Sequence, residues 1–399
     1  MLTNTLSTKE NSASDSEAVQ PARKRFLFGR AHKLSLLLCL CAGLAVLLVL
    51  HMVIAHIQSG LPASANCARL LSSTDYTQAV GFQADHQQMA AIQMITNLDH
   101  GLPAALVQVT GSDPQNTLAV YVFGCTLENK QPRLTPLFTQ QGLAQGTVTL
   151  TPEHTLITSA FDTNLPPNEI PFLQPLQQNV YHEYAWQGDQ FVQVLFPGFY
   201  PVASRIEALT LQESANAGQK LPWNDPLVTA RQMARDLLKW SNLPQARLVS
   251  QTAQTALVEL TSQSPHITIE VTLQRVVQPT GKGLWFVTDA RSPGMIVTRA
   301  GAMNEPLPQI MTSPIHFSGA NALVDGKTTA TLFDHTLTPL KKVHNVSLNV
   351  QPNSAYSGTL TYSGLVRGQQ GVLLVESLPR SENEDHESGQ LVLTEVILN

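Results

Sequence analysis

From Leu34 to Ile57 the chain carries no formally charged residue: Leu34-Ser-Leu-Leu-Leu-Cys-Leu-Cys-Ala-Gly-Leu-Ala-Val-Leu-Leu-Val-Leu50, then His-Met-Val-Ile-Ala-His-Ile57. About 20 apolar helical residues bridge the hydrocarbon core of a bilayer, and this run is long enough to do so. Charge gives it a direction. Arg23, Lys24, Arg25, Arg30 and Lys33 crowd the N-terminal side, and no charge follows until Arg69. Lys and Arg beside a first span stay cytoplasmic. The expectation is a single transmembrane helix over 34–57, N-terminus inside and C-terminal bulk outside. A cleaved signal peptide is the competing reading. Its apolar region is shorter, about 7–15 residues, but Ala63-Ser-Ala65 offers a small-residue cleavage site. Cys39, Cys41 and Cys67 follow Leu38, Leu40 and Asn66, which argues against lipidation. Residues 1–33 read as a disordered cytoplasmic tail with a basic cluster, too poor in large apolar side chains to form a core.

That topology divides the four cysteines. Cys39 and Cys41 fall in the apolar run, where a thiol behaves as a small apolar group. Cys67 and Cys125 fall outside, where disulfides persist. They are the only pair the outer segment offers, so a Cys67–Cys125 bridge is expected.

Beyond Gly60 the chain reads as folded. Apolar residues make up 43% of the whole, and a net charge of −5 gives no polycationic surface for nucleic acid. Residues 67–201 suggest a mostly-β extracytoplasmic domain. Asp85–Asn97 sets Met89, Ile92, Met94 and Ile95 on one side of a predicted helix. Strands are expected at 105–110, 118–123, 147–150, 155–160, 181–186 and 191–195, separated by turn-rich segments such as Gly111-Ser-Asp-Pro-Gln-Asn116. Residues 204–299 suggest an α+β domain with an antiparallel sheet. Its helix is Asp225–Trp240, with Asp225 at the N-cap and Pro226 at the first helical position. Its strand runs are 247–261, 266–277 and 283–290. In the second run Ile267, Ile269, Val271 and Leu273 alternate with Thr268, Glu270 and Thr272, so one face is buried. Residues 300–309 read as a linker, Ala-Gly-Ala-Met-Asn-Glu-Pro-Leu-Pro-Gln. Residues 310–399 read as an all-β sandwich with strands at 315–318, 327–334, 346–350, 358–363, 371–377 and 390–398.

Four stretches of this last block carry a resemblance: Met311-Thr-Ser-Pro-Ile-His-Phe-Ser-Gly319, Thr329-Ala-Thr-Leu-Phe-Asp334, Gly371-Val-Leu-Leu-Val-Glu376 and Ser388-Gly-Gln-Leu-Val-Leu-Thr-Glu-Val-Ile-Leu398. Together they resemble the immunoglobulin-like domain of bacterial spore germination proteins. The resemblance implies an extracytoplasmic bacterial protein with an immunoglobulin-like binding or scaffolding module, and it brings no catalytic residues.

Motifs that carry chemistry are missing. Asp325-Gly-Lys-Thr-Thr329 contains Gly-Lys-Thr, but a phosphate loop needs a glycine at position 321, which is Asn. The sequence contains no Gly-x-Ser-x-Gly elbow, Ser-x-x-Lys or His-Glu-x-x-His. His335, His344 and His386 lack zinc-site spacing, and Glu382–Glu387 reads as a solvated acidic loop. No catalytic residue, metal ligand or cofactor site is therefore assigned. The function expected is that of a non-catalytic, membrane-tethered bacterial envelope protein that binds an envelope protein or wall polymer and is linked to sporulation or germination. The alternative is an extracytoplasmic enzyme or small-ligand carrier with a pocket in the α+β block. A deep pocket between the 225–240 helix and its sheet would favour the alternative. A filled apolar core there would favour the binding protein.

Overall fold

The computed structural model describes residues 63–99, 102–128, 131–165, 178–241, 243–300, 305–306, 309–340, 343–380 and 388–399. The uncharged run 34–57 and the acidic segment 382–387 lie outside them. Helix α1 (Ala63–Ser73) and the single turn α2 (Tyr76–Ala79) lead into β1 (Gln87–Asp99), β2 (Leu102–Gly111), β3 (Leu118–Glu128) and β4 (Gln131–Leu143), an antiparallel sheet in the order β1-β2-β3-β4. A second antiparallel sheet follows: β5 (Thr147–Leu150), β6 (Leu156–Phe161), β7 (Asn179–Gln187) and β8 (Gln190–Val194). One face of the first sheet packs on the second through Ile95, Leu106, Val120, Val122 and Leu156. Its other face packs on α1 through Leu71, Val107, Val109 and Phe123.

The helix expected over Asp85–Asn97 is strand β1, and a bulge explains the misleading pattern. Register against β2 slips between Met89 and Ala91, so Met89 faces Val109 and Ile92 faces Val107. Val107 and Val109 both point toward α1. The extra residue therefore puts Met89 and Ile92 on one face at a spacing of three, which imitates a helical period.

Helix α3 (Arg205–Asn216) and helix α4 (Pro226–Asp236) come next. Asp225 caps α4, its carboxylate accepting from Leu227 N at 2.8 Å, and Pro226 opens the helix. Strands β9 (Gln245–Gln251), β10 (Thr255–Gln263), β11 (His266–Gln274) and β12 (Phe286–Arg291) form the sheet under it. Ile267, Ile269, Val271 and Leu273 are fully buried on one face of β11, as their alternation requires.

The remaining strands are β13 (Ile296–Arg299), β14 (Ile310–Met311), β15 (Ile315–Ala320), β16 (Lys327–Phe333), β17 (Val343–Val350), β18 (Tyr356–Tyr362), β19 (Gln369–Leu378) and β20 (Gln390–Leu398). They build no separate module. Strand β20 pairs with β12 at Ala290–Leu393 and Arg291–Val392, so one eight-stranded sheet runs β16-β19-β20-β12-β11-β10-β9 with β14 beside β20. A four-stranded sheet, β13-β15-β18-β17, packs on its β16-β19-β20 portion. Its edge strand β13 comes from before the expected linker.

These findings overturn the expected fold class, in which an α+β middle domain and an independent immunoglobulin-like sandwich follow a membrane anchor whose run, 34–57, lies outside the described residues. The described residues are mainly strands in four sheets, and among them no helix is long and apolar enough to cross a membrane. The physical reason lies in β20. Leu391 and Leu393 enter the core under α4, while Val392, Val396 and Leu398 enter the core between the two sheets. A strand apolar on both faces needs cover on both. The middle block covers one side and the β13-β15-β18-β17 sheet covers the other.

Candidate functional site

Where the β5–β8 sheet meets the start of β19 and the N-terminus of α3, polar side chains are buried together. Asp162 follows β6, and His182 and Glu183 lie on β7. Ser204 caps α3, with Glu207 in its first turn, and His335 sits in the turn after β16. All six are less than about a tenth exposed. Unpaired, such groups would be costly, because a buried polar group without a partner loses its hydration for nothing.

Most of them are paired across the junction. The Asp162 carboxylate accepts from His335 Nε2 at 3.1 Å. His335 is held by its backbone, whose N–H donates to Gln369 Oε1, and by a tight turn in which Asp334 Oδ1 accepts from Thr336 N and Thr338 N. His182 Nε2 donates to the Arg367 carbonyl at 2.9 Å, and Gln193 Nε2 donates to the Gly368 carbonyl. Gln370 reads the chain between β8 and α3 at both ends: its Oε1 accepts from Phe196 N and its Nε2 donates to Phe196 O. Gly368 is at φ +80°, and a Cβ there would stand 2.9 Å from His182 Cδ2. Glycine thus serves both the left-handed backbone and the close approach of the imidazole.

Two acids complete the cluster. Glu183 Oε1 accepts from Arg205 Nε and from Thr155 Oγ1, both at 2.8 Å, while its Oε2 has no partner among the described residues. Ser204 and Glu207 form a capping pair, Ser204 Oγ donating to Glu207 Oε2 at 2.6 Å and accepting from Glu207 N. Burial pushes the Glu207 carboxyl up to about 7 against the opposing Ser204 hydrogen bond. For Asp162, burial alone would raise the carboxyl, but the hydrogen bond from His335 and that from Asn164 N together hold it below the usual range. Burial lowers His182, keeping it neutral with its Nε2 proton on the Arg367 carbonyl. Elsewhere, burial and the nearby Asp289 push Glu395 on β20 up to about 8.

The chemistry open to this junction is limited by space and by partners. The cavity among Tyr181, Glu183, Gln193, Ser204 and Gln370 holds no more than about one water. An aspartate–histidine pair can orient a general base, but among the described residues no hydroxyl or thiol hydrogen-bonds to the His335 ring. The Ser204 hydroxyl is committed to Glu207. Among the described residues, no group of three or more His, Cys, Asp or Glu could hold a metal ion. What the arrangement does is tie the N-terminal double-sheet region to the edge of the large sheet.

The two cysteines singled out in the sequence lie apart from this junction. Cys67 on α1 and Cys125 on β3 are joined as a disulfide with Cα atoms 5.5 Å apart, both buried between helix and sheet. His335, set aside for lack of zinc spacing, is the residue that pairs with Asp162. Only the Ser204-x-x-Glu207 capping pattern could have been read from the sequence. Where a pocket was sought, between α4 and its sheet, Ala230, Met233, Ala234 and Leu237 fill the space against Val258, Leu260, Ile269 and Val271. No family model matches this chain, and neither does any curated protein.

Proposed function

We propose that this chain is a non-catalytic envelope protein. It sits at the cell membrane with its N-terminus cytoplasmic and presents the unit from Ala63 onward outside the cytoplasm. There it binds an envelope protein or wall polymer in the service of sporulation or germination. The observation that carries the reading is the filled core under α4. Met233, Val258, Leu260, Ile269 and Val271 are fully buried where a carrier or enzyme of this layout would open its pocket. The Cys67–Cys125 bridge supports the compartment, since disulfides persist in oxidising surroundings. The basic cluster before the uncharged run 34–57 supports the orientation. The resemblance of 311–398 to the germination-protein domain supports the role.

The test uses the full chain with an epitope before Met1. Protease added to intact protoplasts should remove everything beyond about Gly60 and spare the epitope. In a second arm, the chain purified in detergent is mixed with isolated wall sacculi. Co-sedimentation identifies a polymer partner, and its absence points to a protein. An outer unit that stays protected until the membrane is permeabilised refutes the proposal.

A further inference from the structure

The sheet β1-β2-β3-β4 has two edges of equal length, and they are built differently. Strand β4, Gln131–Leu143, carries Pro132, Arg133 and Pro136. Proline withholds a donor and a charge resists burial, so that edge is guarded against pairing. Strand β1, Gln87–Asp99, has no proline, no glycine and no charged residue from Gln87 to Leu98. Among the described residues it pairs with β2 alone, leaving one row of backbone donors and acceptors free. Ile92 is 51% exposed and Met94 38% exposed, both on the face toward α1 but beyond the helix. A long, uncharged edge with exposed apolar side chains is a template for another strand.

We propose that β1 is a homodimer interface, pairing antiparallel with β1 of a second copy of this chain about a two-fold axis at Gln93. Backbone chemistry demands an extended partner, and charge selects the copy. Symmetric pairing sets each residue opposite a counterpart from the same strand, where like charges would repel. From Gln87 to Leu98 this strand has none to oppose, and Asp99 falls opposite Gln87 of the partner subunit. Centring the axis on Gln93 sets Ile92 opposite Met94 of the partner and Met94 opposite its Ile92, which buries the two exposed apolar side chains against each other. On the opposite face Gln93 meets Gln93 of the partner subunit. The contact is isologous and closes at two chains.

Cross-linking and mass together test it. In the full chain with Cys39→Ser and Cys41→Ser, Gln93→Cys places two thiols on Cα atoms about 4.5–5.5 Å apart in either kind of antiparallel pair. That lies inside the roughly 4.4–6.8 Å window for a disulfide. Mild oxidation in membranes should give a reducible dimer for Gln93→Cys and none for Ser250→Cys on the edge strand β9. Mass measurement of the unmodified chain in detergent should give two copies. Ile92→Lys should weaken that dimer at least tenfold without lowering the melting temperature, because Ile92 is not part of the core. A monomer at tens of micromolar overturns the proposal. So does a dimer indifferent to Ile92→Lys, or a strand partner that is a different protein while the isolated chain stays monomeric.

Discussion

Replacing Leu393 with Ala tests whether the middle and C-terminal strands form one cooperative unit. Leu393 is 1% exposed, sits opposite Ala290 of β12 and Leu374 of β19, and belongs to the core under α4. Truncating a buried leucine costs about 2–5 kcal/mol, the spread reflecting how far the site can collapse around the cavity. The entropy of unfolding grows with chain length, so a cooperative unit as long as Ala63–Asn399 moves about 1–2 °C for each kcal/mol. The expected shift is about 3–8 °C in one transition, followed by calorimetry on the full chain. Leu398→Ala is the matched perturbation, because Leu398 is fully buried in the other core, between the two sheets. If β20 joins the two halves, both substitutions move the same transition by similar amounts. Two resolved transitions, with Leu393→Ala moving only one and Leu398→Ala only the other, would show that the halves fold independently and that the β12–β20 pairing does not couple them.

The buried junction gives two predictions of opposite pH sign. The folded-state pKa of Glu207 is raised to about 7, so its contribution to stability is fully present below the unfolded carboxylate value and is lost as pH rises through 7. Glu207→Gln should flatten the stability–pH curve between about pH 4.5 and 7 by about 3 kcal/mol, read from denaturant midpoints; equal slopes in both proteins would rule this out. Asp162 is held below its ordinary range, so its contribution is present above the unfolded value and is lost as pH falls. Asp162→Asn should cost about 3–5 kcal/mol at pH 7 and progressively less in acid; a loss independent of pH would remove the His335 pairing as its source. Replacing both Cys67 and Cys125 with Ser should cost about 4 kcal/mol for the 58-residue separation. Unchanged thermal stability would mean that α1 is held by packing alone.

Features whose cause is local were legible in the sequence. The alternation of Ile267, Ile269, Val271 and Leu273 marked β11 and its buried face. Asp225-Pro226 marked the start of α4, since both cap and proline act within one turn. Most strands of the last block fall within a few residues of the expected ranges, because their turn residues bound them. Features that depend on distant partners were not legible. Asp162 and His335 are 173 residues apart, and His182 lies 185 residues from the carbonyl it bonds. No spacing rule connects such pairs. The bulge in β1 hid a strand behind a helical period. The linker reading failed to separate two domains because β13, before it, and β14, at its end, are both in sheets with later strands.

The same contrast bears on function. Strand β20 runs inside the large sheet, and just beyond it the Asn399 N–H is shared between Met311 O and Tyr362 Oη, whose own proton goes to Met311 O at 2.7 Å. The junction residues fasten the N-terminal double-sheet region to this same end, where Gln369, opposite Leu398, and Gln370 begin β19. Both ties therefore gather at the start of β19, with most of the buried polar atoms there spent on fastening rather than left free to bind. At the surface the balance is reversed. There, the β1 edge combines unpaired backbone with exposed apolar side chains. That edge, with its free row of donors and acceptors beside Ile92 and Met94, is where the sheet can still gain a strand, and the second copy proposed for it is the strand that fits.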